Sequence, residues 1–429
     1  MKNKFIKSTI ILLLGGVITK LLGMVIRITM TRNLGTIGIG TYMLIMPTFS
    51  LLISISQLGF PVAISKLVAE DTKNNKNLVF SSLPIALGVT FILMFILIIG
   101  SDFISNNLLH NNEVKYGIMS IGFTLPFISI SSILRGYFFG KQKMLPHVIS
   151  NITEDIVRLL IIILALPMFV TKGIKYAIAF LILSNVISEL SSILILFFFL
   201  PKNFSISKKD IKISKDNLSS IFSISIPTTL SRIIGNIGYF FEPIILTNIL
   251  LKIGYSSSFI TKEYGILNGY VIPLLLLPSF FTSAISQALI PVISKAYVNK
   301  NYKLVKKGVK QAIFFSLLVG IPITILFILF PELFLNLIYN TNEGIKYIKF
   351  LAPIFLLQYI QSPLASALQA MGKAKISMYG TISGIIIKLS ILTIFSLLKI
   401  GIWGLIFALS TNIIFVTIYN YINIKKQID

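Results

Sequence analysis

The chain alternates between long apolar stretches and short polar ones. Twelve apolar runs stand out, at 9–31, 41–65, 79–100, 116–138, 148–170, 176–200, 218–250, 265–294, 309–330, 346–370, 376–397 and 402–423. A bilayer core about 30 Å thick is crossed by roughly 20 apolar residues in a helix. Each run therefore predicts one spanning helix. The seventh and eighth are long enough to tilt, kink or extend beyond the membrane. The first begins after Lys2, Lys4 and Lys7, as a signal peptide would. It lacks a small-residue cleavage site and stays apolar past Lys20 to Met30, so it reads as a retained span.

The polar stretches divide the runs. Pro201–Asn217 is the longest and carries five lysines. It predicts an N-terminal six-helix bundle over 1–200, a basic cytoplasmic linker over 201–217 and a C-terminal six-helix bundle over 218–429. An internal repeat supports the division. Gln57-Leu58-Gly59-Phe60-Pro61 ends run 2 and Gln287-Ala288-Leu289-Ile290-Pro291 ends run 8, at an offset of 230. Gly140-Lys141-Gln142-Lys143 and Gly372-Lys373-Ala374-Lys375 follow runs 4 and 10 at an offset of 232. Six is even, so both halves enter the membrane in the same direction and the repeat is parallel, with its pseudo-twofold along the membrane normal. That layout suits alternating access better than a channel, which needs a ring of equivalent filter segments.

Composition narrows the class. Of 429 residues 55% are hydrophobic and 12% charged, and the mean hydropathy is +0.89. Soluble domains carry about 25% charged residues. The formal net charge is +24, but a nucleic-acid binder would not have these apolar runs. With the N-terminus inside, 23 Lys and Arg fall in inside segments and 9 in outside loops. This bias predicts a multi-pass plasma-membrane protein with both termini cytoplasmic. There is no cysteine and only two histidines, which removes thiol chemistry and histidine-rich metal sites. No cofactor motif or catalytic constellation is present, so an enzyme is not expected.

Ionisable residues within spans are costly and mark function or pairing. Lys20 and Arg27 lie seven apart on run 1, on one stripe with Gly16 and Gly23. Small residues beside two cations let a phosphate approach; the alternative is helix packing by the glycines. Run 5 carries Glu154, Asp155 and Arg158, where either carboxylate can pair with the arginine. Glu189 lies on run 6 beside Asn185 and Ser192. Run 7 holds Arg232 and Glu242, about 15 Å apart along a helix, too far to neutralise each other. Lys388 is near the middle of run 11, a cation site or a carboxylate's partner. Arg135, near the inner end of run 4, is expected to snorkel. Lys20, Arg27, Arg158, Arg232 and Lys388 are the candidate substrate contacts; Asp155, Glu189 and Glu242 the candidate coupling or gate residues. Pro47, Pro61, Pro273, Pro278 and Pro291 favour kinks and are candidate hinges.

Thr19-Lys20-Leu21-Leu22-Gly23, Asn33-Leu34-Gly35, Gly38-Ile39-Gly40-Thr41-Tyr42, Pro47 and the stretch from Gln57 to Glu70 closely resemble the stage V sporulation protein B family. That family belongs to the multidrug/oligosaccharidyl-lipid/polysaccharide exporter superfamily, with the MurJ-type lipid II flippases. Arg232–Pro243 looks like the family's seventh helix. The resemblance implies a MATE/MurJ-like fold and export of polyprenyl-diphosphate-linked sugars, a peptidoglycan precursor or another polysaccharide unit, in cell-wall or spore-cortex synthesis. Lys20 matches the basic position before Leu-Leu-Gly, and Arg27 lies near the next. Such proteins often have fourteen spans, where this chain shows twelve.

The expectation is a flippase of two six-helix bundles, driven by a coupling ion (H+ or Na+) or the membrane potential. Its partners would be the lipid-linked glycan, membrane lipids and cell-wall or spore-wall synthesis proteins. Three other readings stay open. These are a cation-coupled drug exporter of the same superfamily, a non-transporting assembly protein for the spore wall, and a membrane-bound polyprenyl-phosphate enzyme.

Overall fold

The computed structural model describes residues 2–70, 75–201, 204 and 215–428. Most of the expected linker 201–217 lies outside the described residues. Within them the chain is all-α, as expected. In a bilayer core no water satisfies backbone N–H and C=O groups, so apolar segments close their hydrogen bonds internally as helices. Ser and Thr inside the spans follow the same rule. Thr31 Oγ1 donates to Arg27 O (3.0 Å) and Thr229 Oγ1 to Ser225 O (2.7 Å), each on its own helix.

The helices are α1 (Lys2–Ser56), α2 (Phe60–Glu70), α3 (Asn75–Asp102), α4 (Lys115–Gly140), α5 (Met144–Val170), α6 (Ile174–Phe198) and α7 (Lys215–Lys252). They continue as α8 (Ser257–Gly265), α9 (Ile272–Leu275), α10 (Ser279–Val298), α11 (Tyr302–Leu329), α12 (Pro331–Tyr339), α13 (Ile345–Ala370), α14 (Ala374–Ser396) and α15 (Trp403–Ile428). Among the described residues nine helices are long and apolar enough to cross a membrane, or ten with a pair bent by 53° counted as one. The twelve runs map onto these in three ways. The first helix is long enough for two crossings, one on each side of Gly35. The bent pair carries run 8. The 27-residue α5 carries run 5 with its charged trio.

The chain forms two compact units, Met1–Phe240 and Phe241–Asp429. The division falls inside α7 rather than at the basic segment. In the first unit α4 packs against α2, α3 and α6, and α5 packs against α6. In the second, α13 packs against α10, α11 and α15, and α14 against α15. Taking the spans in order, these are equivalent pairs, so these four pairings recur in both units. Phe60, Ile64, Ile133, Leu134, Phe138 and Leu196 lie in the first core. Leu289, Ile293, Val305, Val309, Leu364 and Leu368 lie in the second. Outward faces are apolar too: Ile92, Phe95, Leu164, Leu194, Phe198 and Leu329 are all more than half exposed. Water would not tolerate so much exposed apolar surface; lipid does.

Broken spans position the polar chemistry. Gly35 has φ 63° and ψ −177°, a conformation open essentially to glycine, and interrupts α1. Leu58 (φ 48°) and Gly59 (φ 62°) break the second span between α1 and α2. The break releases the carbonyl of Ser56, which Ser129 Oγ on α4 caps at 3.1 Å. In the second unit the bend after α9 releases the carbonyl of Leu275, which the Tyr359 hydroxyl on α13 caps at 2.7 Å. Ser129 and Tyr359 are separated by 230 residues, the offset of the sequence repeat. At that offset Gly59 corresponds to Leu289, which cannot take a positive φ cheaply, and α10 runs through it as helix.

The candidate hinge prolines divide accordingly. Pro61 is the second residue of α2, directly after a break. Pro273 lies in the first turn of α9 and Pro278 caps the start of α10, on either side of the bend. Pro47 and Pro291 lie inside continuous helices.

Candidate functional site

The first unit gathers its charges where α4, α5 and α6 meet. Arg135 Nη2 donates to Glu154 Oε2 at 2.5 Å and to Ser192 Oγ at 2.8 Å, and lies 3.7 Å from Glu189 Oε2. Arg158 Nη2 donates to Glu154 Oε1 at 2.6 Å, and Arg158 lies 3.4 Å from Ser188 Oγ. Glu154 thus bridges two guanidiniums, each held by a serine of α6. Asp155 does not take Arg158. It lines a polar cavity of about 170 Å³ with Thr19, Arg135, Asn151 and Glu154. Among the described residues, Arg135 Nε, His147 Nδ1, Asn151 Oδ1 and Glu189 Oε2 are buried with no hydrogen-bond partner. Such a cavity is polar and roomy enough for ordered water.

Arg135 corrects the sequence reading: it does not snorkel. Its partners sit 19 and more residues away, on two other helices, so spacing within α4 carries no sign of them. Ser188 was missed for the same reason, and Ser192 was read as a neighbour of Glu189 rather than as a partner of Arg135. One usable signal was the presence of an unpaired carboxylate, Glu189, on a neighbouring span. Counted as ions, Glu154, Asp155 and Glu189 outnumber Arg135 and Arg158, so this cluster favours a cation or a proton over a phosphate.

Lys20 and Arg27 lie on α1 as the spacing predicts. Lys20 is exposed and Arg27 half-buried beside Met43 Sδ at 3.6 Å. Among the described residues no heavy atom other than the helix's own backbone and the adjoining residues lies within 4 Å of where a Cβ at Gly16 or Gly23 would stand. The glycines are therefore not a packing face, and the stripe is open to an approaching group. Arg232 is also exposed; its Nη1 donates to Gln57 Oε1 at 2.6 Å, directly before the Gly59 break. Asn236, one turn on, donates to Ser54 Oγ at 2.9 Å.

The second unit holds a separate buried group. Lys388 Nζ bonds Glu242 Oε2, and the Tyr264 hydroxyl donates to Glu242 Oε1 at 3.1 Å. Of the two roles open to Lys388, the structure shows the carboxylate's partner. Further along, Lys262 pairs with Glu343 at 2.6 Å and Tyr347 bonds Glu263, joining α8 to α13 and the turn before it. Glu343 raises the pKa of Lys262, first through its hydrogen bond and then through its charge.

This architecture has known counterparts. The model for "Polysaccharide biosynthesis protein" matches residues 5–297, two thirds of the chain, and the MatE model matches 268–394. The chain belongs to the polysaccharide biosynthesis protein family. Stage V sporulation protein B of Bacillus subtilis (strain 168) is 37% identical over 437 residues, covering 99% of this chain and 84% of that protein. The resemblance drawn from residues 19–70 is thereby borne out. The lipid II flippase MurJ of the same organism is 24% identical, covering 100% of this chain and 84% of that protein. An inward-facing multidrug resistance MATE family transporter of the MOP superfamily superposes with a TM-score of 0.73 at 16% identity, covering 96% and 94% of the two chains. The fold is thus that of MATE transporters, in a multi-pass membrane protein of this family.

Proposed function

We propose that this protein is a flippase that moves a polyprenyl-diphosphate-linked sugar across the plasma membrane by alternating access, without covalent chemistry. The observation that carries the reading is the open face of α1. Two cations stand on one stripe, and Gly16 and Gly23 on the same stripe leave room for a phosphate. A diphosphate bound there would meet Lys20 and Arg27, with Arg232 as a third cation of the same unit. Arg158 and Lys388 are committed to Glu154 and Glu242, so each braces the inside of its own unit rather than the cargo. The names of the relatives support a peptidoglycan precursor or another polysaccharide unit as cargo, in cell-wall or spore-cortex synthesis.

Asp155, Glu189 and Glu242 are the candidates for coupling or gating. The excess of carboxylates over cations in the Arg135 cluster suits uptake of H+ or Na+ on one side and its release on the other. The membrane potential alone could also drive an anionic cargo outward. Both termini are assigned to the cytoplasm by the lysine bias. The same carboxylate excess, with the MatE match, favours a second reading as a cation-coupled drug exporter.

Binding decides between them. Native mass spectrometry of the purified protein should show a polyprenyl-diphosphate sugar retained in preference to its uncharged glycosyl counterpart and to a lipophilic cation. Preferential retention of the cation would favour the exporter and refute the flippase.

A further inference from the structure

Arg232 stands near the middle of α7, 17 residues after Lys215 and 20 before Lys252. A cation at that depth of a span is costly, and is tolerated where it pairs with an opposite charge or lines a substrate path. The buried cations of the two units are paired: Arg135 and Arg158 share Glu154, and Lys388 has Glu242. Arg232 is not. Its Nη1 donates to the amide oxygen of Gln57, and among the described residues the guanidinium makes no other hydrogen bond or ion pair. One of its five N–H groups is used, and its charge is not neutralised.

The break in the second span places Gln57 at this point. α1 ends at Ser56, Gln57 N still donates to Ile53 O at 3.0 Å, and Gln57 O accepts from Phe60 N at 2.9 Å across the break. Its backbone is therefore held on both sides. α7 is pressed against the same place. A Cβ on Gly59 would stand 2.6 Å from Ser225 O and 3.2 Å from Thr229 Oγ1, two turns and one turn before Arg232. One turn after Arg232, Asn236 Nδ2 donates at 2.9 Å to the buried Ser54 Oγ. Residue numbers rise along α7 as they fall along the second span, so the two run antiparallel, and Arg232 meets Gln57 between two fixed contacts.

We propose that Gln57 is a positioning residue for the cargo: it orients the Arg232 guanidinium and, being an amide, leaves the full positive charge for a diphosphate. The inference rests on the flippase reading above and adds the residue that keeps its third cation available. A carboxylate at position 57 would hold the arginine equally well, but it would neutralise the charge and repel phosphate. With Nη1 on the amide, the edge formed by Nε and Nη2 can meet two phosphate oxygens side by side. An arginine kept in this state repels a lipophilic cation.

The test is retention of a polyprenyl-diphosphate sugar by the purified full chain, read by native mass spectrometry. Wild type is compared with Gln57→Glu, Gln57→Ala, Arg232→Gln and the double variant Gln57→Ala/Arg232→Gln. Trp403 fluorescence and the size-exclusion profile report folding. Gln57→Glu should fold at least as stably as Gln57→Ala, yet lose retention by about tenfold or more, because a charge-assisted contact is lost. Gln57→Ala keeps the charge and loses only its orientation, so it should lose less, about threefold. The Gln57→Ala and Arg232→Gln losses should not add, since Gln57 acts through Arg232. A purely structural role predicts the opposite order, with Gln57→Glu the milder change. If Gln57→Glu fails to fold, the other three variants still decide by additivity. Retention at the wild-type level by folded Gln57→Glu, or additive losses in the double variant, would overturn this inference and leave the flippase reading intact. No retention by wild type would overturn both.

Discussion

Arg135 Nη2 lies 2.5 Å from Glu154 Oε2, and that contact ties the fourth span to the fifth at the centre of the first unit's charge cluster. Both side chains are mostly buried, at 19% and 11% exposure. Removing one partner of a buried pair strands the other. Arg135→Ala should therefore destabilise by about 3–5 kcal/mol. Glu154→Gln should cost less, because its amide oxygen still accepts from one arginine and only the other meets the NH2 group. Thermal unfolding of the two variants in detergent, followed by Trp403 fluorescence, checks the order. Equal stability of Arg135→Ala and wild type would contradict the cluster.

Lys388 and Glu242 make the corresponding test in the second unit. Lys388→Met leaves Glu242 buried with only the Tyr264 hydroxyl, and Glu242→Gln leaves the ammonium without its counter-charge. Each single change should lower stability. The double change should recover much of the loss, giving a coupling energy of about 1–3 kcal/mol. Additive losses in this double-mutant cycle would mean that the pair does not interact.

Gly59 is constrained twice. Its φ is 62°, and a Cβ would stand 2.6 Å from the carbonyl oxygen of Ser225 and 2.9 Å from Thr228 Cβ on α7. Gly59→Ala should thus cost more than the about 1 kcal/mol of an ordinary positive-φ site. It should also shift the Arg232–Gln57 contact two residues away. Gly254→Ala, at φ 101° with no atom within 4 Å, is the control for strain alone. A Gly59→Ala variant no less stable than that control would show that the approach of α7 is not tight.

Much of this architecture could be read from residue pattern. Apolar runs of membrane length locate helices because a bilayer imposes both length and hydrophobicity. The repeat at offset 230 anticipated the matched internal packing of the units. What pattern could not show was where long helices break. Gly35 lies among residues that would otherwise continue the helix, and although Pro61 marks a kink near Gly59, it does not show that Leu58 and Gly59 turn left-handed. Charge pairing across helices was equally hidden. Glu154–Arg158 is an i, i+4 pair and was legible, while Arg135–Glu154 and Lys388–Glu242 join residues 19 and 146 apart. The role of Arg158 changed as a result, from a cargo contact to one strut of a cluster.

Orientation is open to direct labelling because the native chain has no cysteine. Lys306→Cys and Lys208→Cys, the latter outside the described residues, should resist an impermeant thiol reagent on intact cells. Lys172→Cys and Lys399→Cys should react. The reverse pattern would place both termini outside.

Flipping by purified protein in liposomes, with a defined polyprenyl-diphosphate sugar, tests the account most directly. Wild type should move the labelled lipid between leaflets. An inside-negative potential should favour outward movement, by up to about 4.6 kcal/mol per 100 mV for two uncompensated charges. Lys20→Ala/Arg27→Ala should fold and insert normally yet lose most of this transport. Arg27→Lys should keep part of it, since charge survives while bidentate phosphate geometry is lost. Normal flipping by a well-folded Lys20→Ala/Arg27→Ala variant would contradict the α1 cargo face, and no flipping by wild type would contradict the assigned function.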